Sequence, residues 1–306
     1  MYNMGPQLLV VGKLFILMAI GAFLRKKNIL PTEGKKILTD LIINLILPFN
    51  IVNSFIVELT RERLEATGII FLIAVLIEIV AIILAYTAYR WCDPSHLPSL
   101  KYGTVCSNSG ILGTPIAEGI FGTEGTLLAA MYCIPQRIIM WTMGVSFFTE
   151  KTGKVTVKKI VTHPCIAAAI IGMIIMVTQC PVPTLIRDCL KSVGGCNTAI
   201  SMILVGSIIA EMDLSLLHHR DAIYFSVIRL VLIPLASLGI SVALGASPLV
   251  RNAAVVLAAM PNGATMPILA LKYGRNEAFA SACTALSTVL SLVALPIWCA
   301  FLHVGA

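Results

Sequence analysis

Charge is what this 306-residue chain has least of: 12% of its residues are Asp, Glu, Lys or Arg, about half the share of a water-soluble domain. Aromatic residues are sparse too, at 7%, while 58% are hydrophobic and the mean hydropathy is +0.93. A water-soluble fold of this size is excluded. The nine cysteines form no C-x-x-C pair and mostly fall inside apolar runs, as do Cys106, Cys133, Cys165, Cys283 and Cys299. They read as small buried hydrophobes, not as a disulfide scaffold or a metal cluster. The chain also lacks a Gly-x-x-x-x-Gly-Lys loop and any nucleophile–base pairing, which excludes an enzyme and an ATP-driven pump within one chain. The net charge of +7 asks for no nucleic acid, since loops facing anionic lipid are a sufficient cause.

What the chain does have is long apolar runs. Ten of them, 7–25, 36–57, 67–90, 99–120, 124–149, 160–179, 184–211, 222–244, 249–271 and 277–302, approach or exceed the ~20 residues that cross ~30 Å of hydrocarbon. The runs are continuous and do not alternate with period two, so helices are expected and a barrel is not. The first run has no basic leader and no small-residue cleavage site, so it reads as a span and not as a signal peptide. With the N-terminus outside, fourteen Lys and Arg fall in cytoplasmic loops and five (Arg61, Arg63, Arg187, Lys191, Arg251) in outer ones, leaving Lys13, Arg137 and Arg229 within spans. The positive-inside rule therefore places both termini outside the membrane.

Spans four and nine carry helix breakers at membrane depth. One reads Ser107-Asn108-Ser109-Gly110-Ile111-Leu112-Gly113-Thr114-Pro115 and runs on to Phe121-Gly122. The other reads Met260-Pro261-Asn262-Gly263-Ala264-Thr265-Met266-Pro267 and runs on to Tyr273-Gly274. Superposing Pro115 on Pro267 also superposes the two aromatic-Gly pairs, at an offset of 152, close to half the chain. Five spans per half is an odd number, so the second repeat (160–304) must sit inverted with respect to the first (7–152). The fold expected is thus an all-α polytopic membrane protein of ten helices in two inverted five-helix repeats. Helices 4 and 9 are broken and cross, with Gly113, Pro115, Pro261, Gly263 and Pro267 as the helix-break residues. Paired broken helices in inverted halves mark a secondary transporter, because unwound backbone survives in hydrocarbon only where protein, water or substrate satisfies it.

At these residues the sequence resembles the auxin efflux carrier family, which includes plant auxin exporters and bacterial carriers of malonate-like anions. "SNSGILGTP" is similar to the family's Asn-x-x-x-x-Gly-x-Pro element, "AAMPNGATMP" to its Leu-Pro-Gln-Gly element and "PQRIIMWT" to a Gln-Cys-Ile-Ile-Trp-Tyr-Thr stretch in helix five. "RLVLIP", with Arg229 and Pro234, and "ALSTVLSLVALP" also fit. The resemblance implies a scaffold of helices 1, 2, 6 and 7 that often dimerises, and a mobile domain of helices 3–5 and 8–10 that works by elevator-like alternating access. It implies that Asn108 and Asn262 lie at the crossing and contact the anion, with Gln136 a neighbouring polar ligand. Asn262 stands where plant members carry glutamine and Arg137 where they carry cysteine, and both departures point away from auxin as cargo. The absence of a long hydrophilic loop between helices five and six favours a prokaryotic carrier.

Each residue also has a structural alternative. Asn108 and Asn262 can cap the broken helices without touching a ligand, and Ser107 and Thr265 can bond back to their own helices. Arg137, near the middle of span five, cannot lose its proton or snorkel easily. It either pairs with Glu78 or with freed carbonyls, or reaches the crossing and holds a carboxylate bidentately, which suits a dicarboxylate. Glu78 in span three is a candidate proton or cation carrier, or a carboxyl turned towards protein. Arg229 reads as paired with Glu211 or Asp213, Glu118 as an ordinary carboxyl near water, and Asn44 as a partner for the carbonyl freed by Pro48. The adjacent His218 and His219 make a poor metal site. The chain is expected to need no cofactor beyond a coupling ion, proton or sodium. A small organic anion, membrane lipid and a second copy of the chain are its expected partners. An anion channel and a non-transporting anion sensor are the competing functions; channels show polar rings along one face, whereas here polar groups gather at one crossing.

Overall fold

In the computed structural model, residues 5–148, 164–210, 219–263 and 265–302 are described. Lys151, Lys154, Lys158 and Lys159, together with Glu211, Asp213, His218 and both chain ends, lie outside them. Apolar runs with few breakers give helices throughout: α1 (Gly5–Lys26), α2 (Thr32–Leu41), α3 (Leu47–Ser54), α4 (Arg61–Thr87), α5 (Leu97–Val105), α6 (Thr114–Ile139), α7 (Pro164–Thr178), α8 (Thr184–Gly194), α9 (Asn197–Ile209), α10 (Arg220–Val227), α11 (Ile233–Ala243), α12 (Pro248–Ala258), α13 (Thr265–Lys272) and α14 (Glu277–Phe301). No strand occurs among the described residues. Five continuous helical stretches are long and apolar enough to cross a membrane, namely Glu33–Ser54, Arg61–Thr87, Thr184–Ile209, Arg220–Ala243 and Glu277–Phe301, and shorter apolar helices accompany them.

Proline explains much of the local geometry. Single π turns at Ile42–Ile46, Ser109–Gly113 and Ile228–Leu232 each lead into a helix whose second residue is proline: Pro48, Pro115 and Pro234. A proline ring clashes with the carbonyl four residues back. One extra residue per turn relieves the clash, and the residue before each proline then bonds five back: Leu47 to Ile42, Thr114 to Ser109, Ile233 to Ile228. The orphaned carbonyl of Leu230 is taken by the Trp298 indole at 2.9 Å. Asn44 does not serve Pro48 in this way. Its amide donates to Asp40 O at 2.8 Å, and the π turn absorbs the distortion.

Two pairs of left-handed residues recur at the repeat spacing. Gly122 and Gly274, which superpose in sequence, have φ of 65° and 63°. Asn28 after α1 and Gln179 after α7 have φ of 55° and 50°. Gly122 kinks the helix that joins the expected spans four and five, and α8 and α9 are separated by a turn at Gly195–Cys196 within the expected span seven.

The helices pack in two groups. In the first, α1 lies along α9 while α3 packs on α7 and α8. A Cβ at Gly21 or Gly206 would overlap the backbone of Ile203 or Met18, so α1 and α9 meet main chain to main chain. In the second, α4 packs on α6 and α11, α12 on α6 and α11, and α14 on α10 and α13. Between the groups runs an apolar seam that includes Leu14, Met18, Leu112, Ile116, Met202 and Val205. A cavity of about 30 Å³ lies in it.

Candidate functional site

Both breaks lie in the second group, and they meet. α5 stops at Val105 and Cys106 turns extended (φ −107°, ψ 103°). Ser107 and Asn262 then form an isolated antiparallel bridge. The Asn108 N–H donates to Pro261 O at 2.7 Å, and Asn108 O accepts from Leu112 and Gly113 at 3.0 and 3.1 Å as the chain coils again. Each unwound segment thus satisfies part of the other, which backbone at this depth requires.

Arg229 satisfies much of what is left. Its Nε donates to Met260 O (2.9 Å), one Nη to Thr104 O (3.0 Å) and the other to Ala258 O (2.9 Å). These carbonyls belong to the ends of α5 and α12, where no next turn supplies N–H groups. The residue is 3% exposed. Glu211 and Asp213, the acids expected beside it, lie outside the described residues; its three donor positions hold the crossing together. Glu78 is buried beside this guanidinium, and its Oε2 has no hydrogen-bond partner among the described residues. The positive charge acting on Glu78 is therefore Arg229, not Arg137.

The two asparagines, 154 residues apart and so two out of register with the 152-residue offset of the prolines, differ in role. Asn262 is fully buried; its amide donates to Thr284 Oγ1 at 2.9 Å and accepts from Ser287 Oγ at 2.6 Å. Both of those bonds go to α14, and its Nδ2 also lies 3.4 Å from Gly263 O and 3.6 Å from Met266 Sδ. Asn108 is half-buried, and among the described residues its side chain makes no hydrogen bond; its Oδ1 stands over Gly263, 3.9 Å from where a Cβ would lie. Beside it, Gln136 Nε2 donates to the carbonyl and hydroxyl oxygens of Ser107 at 2.6 and 2.9 Å. Ser107 in turn bonds Ser109, whose hydroxyl donates to Leu257 O at 3.0 Å. Thr265 opens α13 and accepts from Tyr102 at 3.0 Å. A cavity of about 80 Å³ borders it, lined by Tyr102, Met140, Val145, Thr265, Ile268 and Leu269.

Arg137 does reach this place. Its Nη2 lies 2.8 Å from where a Cβ on Gly110 would be, so a larger residue there would push the guanidinium aside. The other side of Arg137 is bordered by Cys133 and by Cys165 of α7.

Of the five break residues, Pro261 and Gly263 lie in the unwound segment itself. Gly113 ends the π turn, while Pro115 and Pro267 sit in the first turns of α6 and α13. Pro267 starts a half-helix and does not break it, because a first-turn residue has no intrahelical use for its N–H; Pro115 follows the π turn that absorbs its clash. Sequence reasoning missed Thr284 and Ser287. The signal was present, since Thr284, Ser287, Thr288 and Ser291 give the apolar α14 one hydroxyl face. Glu118 was also underrated, for it accepts from Asn50 Nδ2 at 3.3 Å and Thr198 Oγ1 at 3.0 Å.

The sequence profile of a family described as membrane transport proteins matches the chain twice, over residues 8–160 and 151–299. An uncharacterised transporter of Methanothermobacter thermautotrophicus is 29% identical over 297 residues, covering 94% of this chain and 96% of its own. An uncharacterised transporter of Methanocaldococcus jannaschii is 23% identical over 299 residues, with the same coverage. Both relatives are archaeal.

Proposed function

This chain belongs to the membrane transport protein family, and from that premise we infer that it is a secondary carrier of a small organic anion, a carboxylate or dicarboxylate. That it is a multi-pass membrane transporter and not an enzyme follows from the family and its relatives. The cargo and the mechanism are our reading. One observation carries it: at the meeting of two broken helices, the Asn108 amide faces Gly263 and Thr265, with the Arg137 guanidinium over Gly110 two residues away. An amide, a hydroxyl, a guanidinium fork and the first turns of two half-helices suit one carboxylate at the asparagine and another at the arginine.

The double profile match and the left-handed pairs at the repeat spacing support two inverted five-helix repeats, ten helices in all. The apolar seam supports an elevator, with helices 1, 2, 6 and 7 as a scaffold that dimerises and the remainder moving against it. Both termini face outward from a prokaryotic inner membrane in this reading. Counterflow in proteoliposomes loaded with malonate or succinate tests it. A carrier is stimulated by anion on the far side; a channel shows uptake without stimulation, and a sensor moves nothing. A thermal-shift screen across mono- and dicarboxylates identifies the cargo, since a ligand at 100 times its Kd stabilises by about 2.7 kcal/mol.

A further inference from the structure

Away from the crossing, four helices bring oxygen ligands to one point. Glu118 projects from α6 towards α3 and α9. Its Oε1 accepts from Asn50 Nδ2 at 3.3 Å and its Oε2 from Thr198 Oγ1 at 3.0 Å. The same Asn50 Nδ2 also donates to Gly194 O, at the end of α8, at 3.1 Å. Asn197, fully buried, stands beside the carboxylate, and its Oδ1 accepts from Ser201 at 3.3 Å.

One acceptor here is left over. Asn50 is 5% exposed, yet its Oδ1 has no hydrogen-bond partner among the described residues. A buried amide oxygen without a partner is costly, so it points to a missing ligand. An amide's oxygen and nitrogen are interchangeable by rotation about its last bond. Turning Asn50 aims its Oδ1 at Glu118 Oε1 and Gly194 O. Three oxygens then face one point with no proton between them, and Thr198 Oγ1 flanks it. That arrangement repels itself unless a cation fills it.

We propose that Glu118, Asn50, Thr198 and the Gly194 carbonyl form a sodium site, in which the Asn50 amide nitrogen occupies the cation's place when sodium is absent. Hard oxygen donors suit a hard cation, and one carboxylate among neutral oxygens matches a single positive charge. Lys13 of α1 also acts on Glu118 and balances its charge when the ion leaves. The donors come from both sides of the seam: Asn50, Gly194 and Thr198 from the first group of helices, Glu118 from the second. Sodium therefore fastens one group to the other. This rests on the carrier reading for its consequence, coupling of the cation to anion movement, but not for the site itself.

The test is the melting temperature of the purified protein in sodium, potassium and choline chloride at equal ionic strength, for the wild type, Glu118→Gln and Thr198→Val. The expected result is a saturable rise specific to sodium in the wild type, lost in Glu118→Gln and weakened in Thr198→Val. An equal rise in all three salts overturns the site, as does an undiminished sodium response in both variants. Stabilisation that follows acidity and ignores sodium overturns it in favour of a proton on Glu118. Malonate and succinate counterflow at equal sodium on both sides separates the two readings. Counterflow without a sodium response removes the site alone; a sodium response without any anion movement keeps the site and removes the carrier.

Discussion

The two asparagines of the crossing differ by their neighbours. Asn262 is enclosed by Thr284 and Ser287 of α14, whereas Asn108 is half-buried with its amide unengaged among the described residues. Asn262→Ala should therefore lower stability by about 1–3 kcal/mol by removing two buried hydrogen bonds, with anion affinity per folded molecule nearly unchanged. Asn108→Ala should do the reverse, weakening anion binding by about 1–3 kcal/mol and leaving the melting temperature near that of the wild type. Thermal melts paired with ligand titrations decide it, and equal effects on both quantities in both variants would sink the distinction. Arg137 is argued in the same way. Arg137→Lys keeps the charge but not the fork and should lose much of the affinity for dicarboxylates. Arg137→Cys should move preference towards monocarboxylates, and an unchanged ratio in competition assays would make the arginine structural. Which residues stand at the crossing was legible in the sequence, because breakers at membrane depth advertise themselves. How they divide the work was not. Arg229 binds three carbonyls, and backbone acceptors leave no trace in composition, so an acidic side chain looked the natural partner.

At the scale of elements, the apolar runs announced the helices and the prolines announced trouble within them, but not its form. A single proline predicts a kink. What the chain does three times is widen one turn before the proline, and the carbonyl left behind has to find a donor elsewhere. For Pro234 that donor is Trp298, 68 residues beyond the Leu230 carbonyl it serves, on α14. Trp298→Phe keeps most of the ring's packing and removes only the N–H, so it should cost about 1–3 kcal/mol through the buried Leu230 carbonyl. Adding Pro234→Ala restores a backbone N–H within reach of that carbonyl. The double variant should then lose less than the sum of the two singles, a coupling that a double-mutant cycle of thermal or denaturant unfolding reads directly. Strict additivity would show that the indole and the proline act independently. Neither partner was visible from sequence alone, since the bond joins two spans whose proximity only the packing reveals.

For the whole molecule, polar and apolar contacts are distributed unevenly. Inside the second group, Arg229, Asn262 and the bridge between Ser107 and Asn262 tie the broken helices to α10 and α14 with directional bonds. Along the seam with the first group, α1 and α9 meet Leu112, Ile116, Leu295 and Cys299 through apolar side chains, and such contacts carry no directional penalty when they slide. Glu118 carries hydrogen bonds from α6 to α3 and α9 across that seam. A body stiff within and smooth at its boundary is what alternating access by rigid-body movement needs, and it yields a decisive measurement. Leu14 of α1 and Cys299 of α14 line the same cavity in the seam. Introduce Leu14→Cys while keeping Cys299 and replacing the other cysteines, then treat with membrane-permeant bis-thiosulfonates of increasing spacer length. Short spacers should abolish anion counterflow, a reducing agent should restore it, and the thermal shift given by the anion should survive the cross-link, because the crossing lies wholly within one body. Long spacers should restore partial rates as the tether comes to permit the stroke. Full counterflow with the shortest spacer in place would mean that α1 and α14 never part, and an elevator movement across this seam would be excluded.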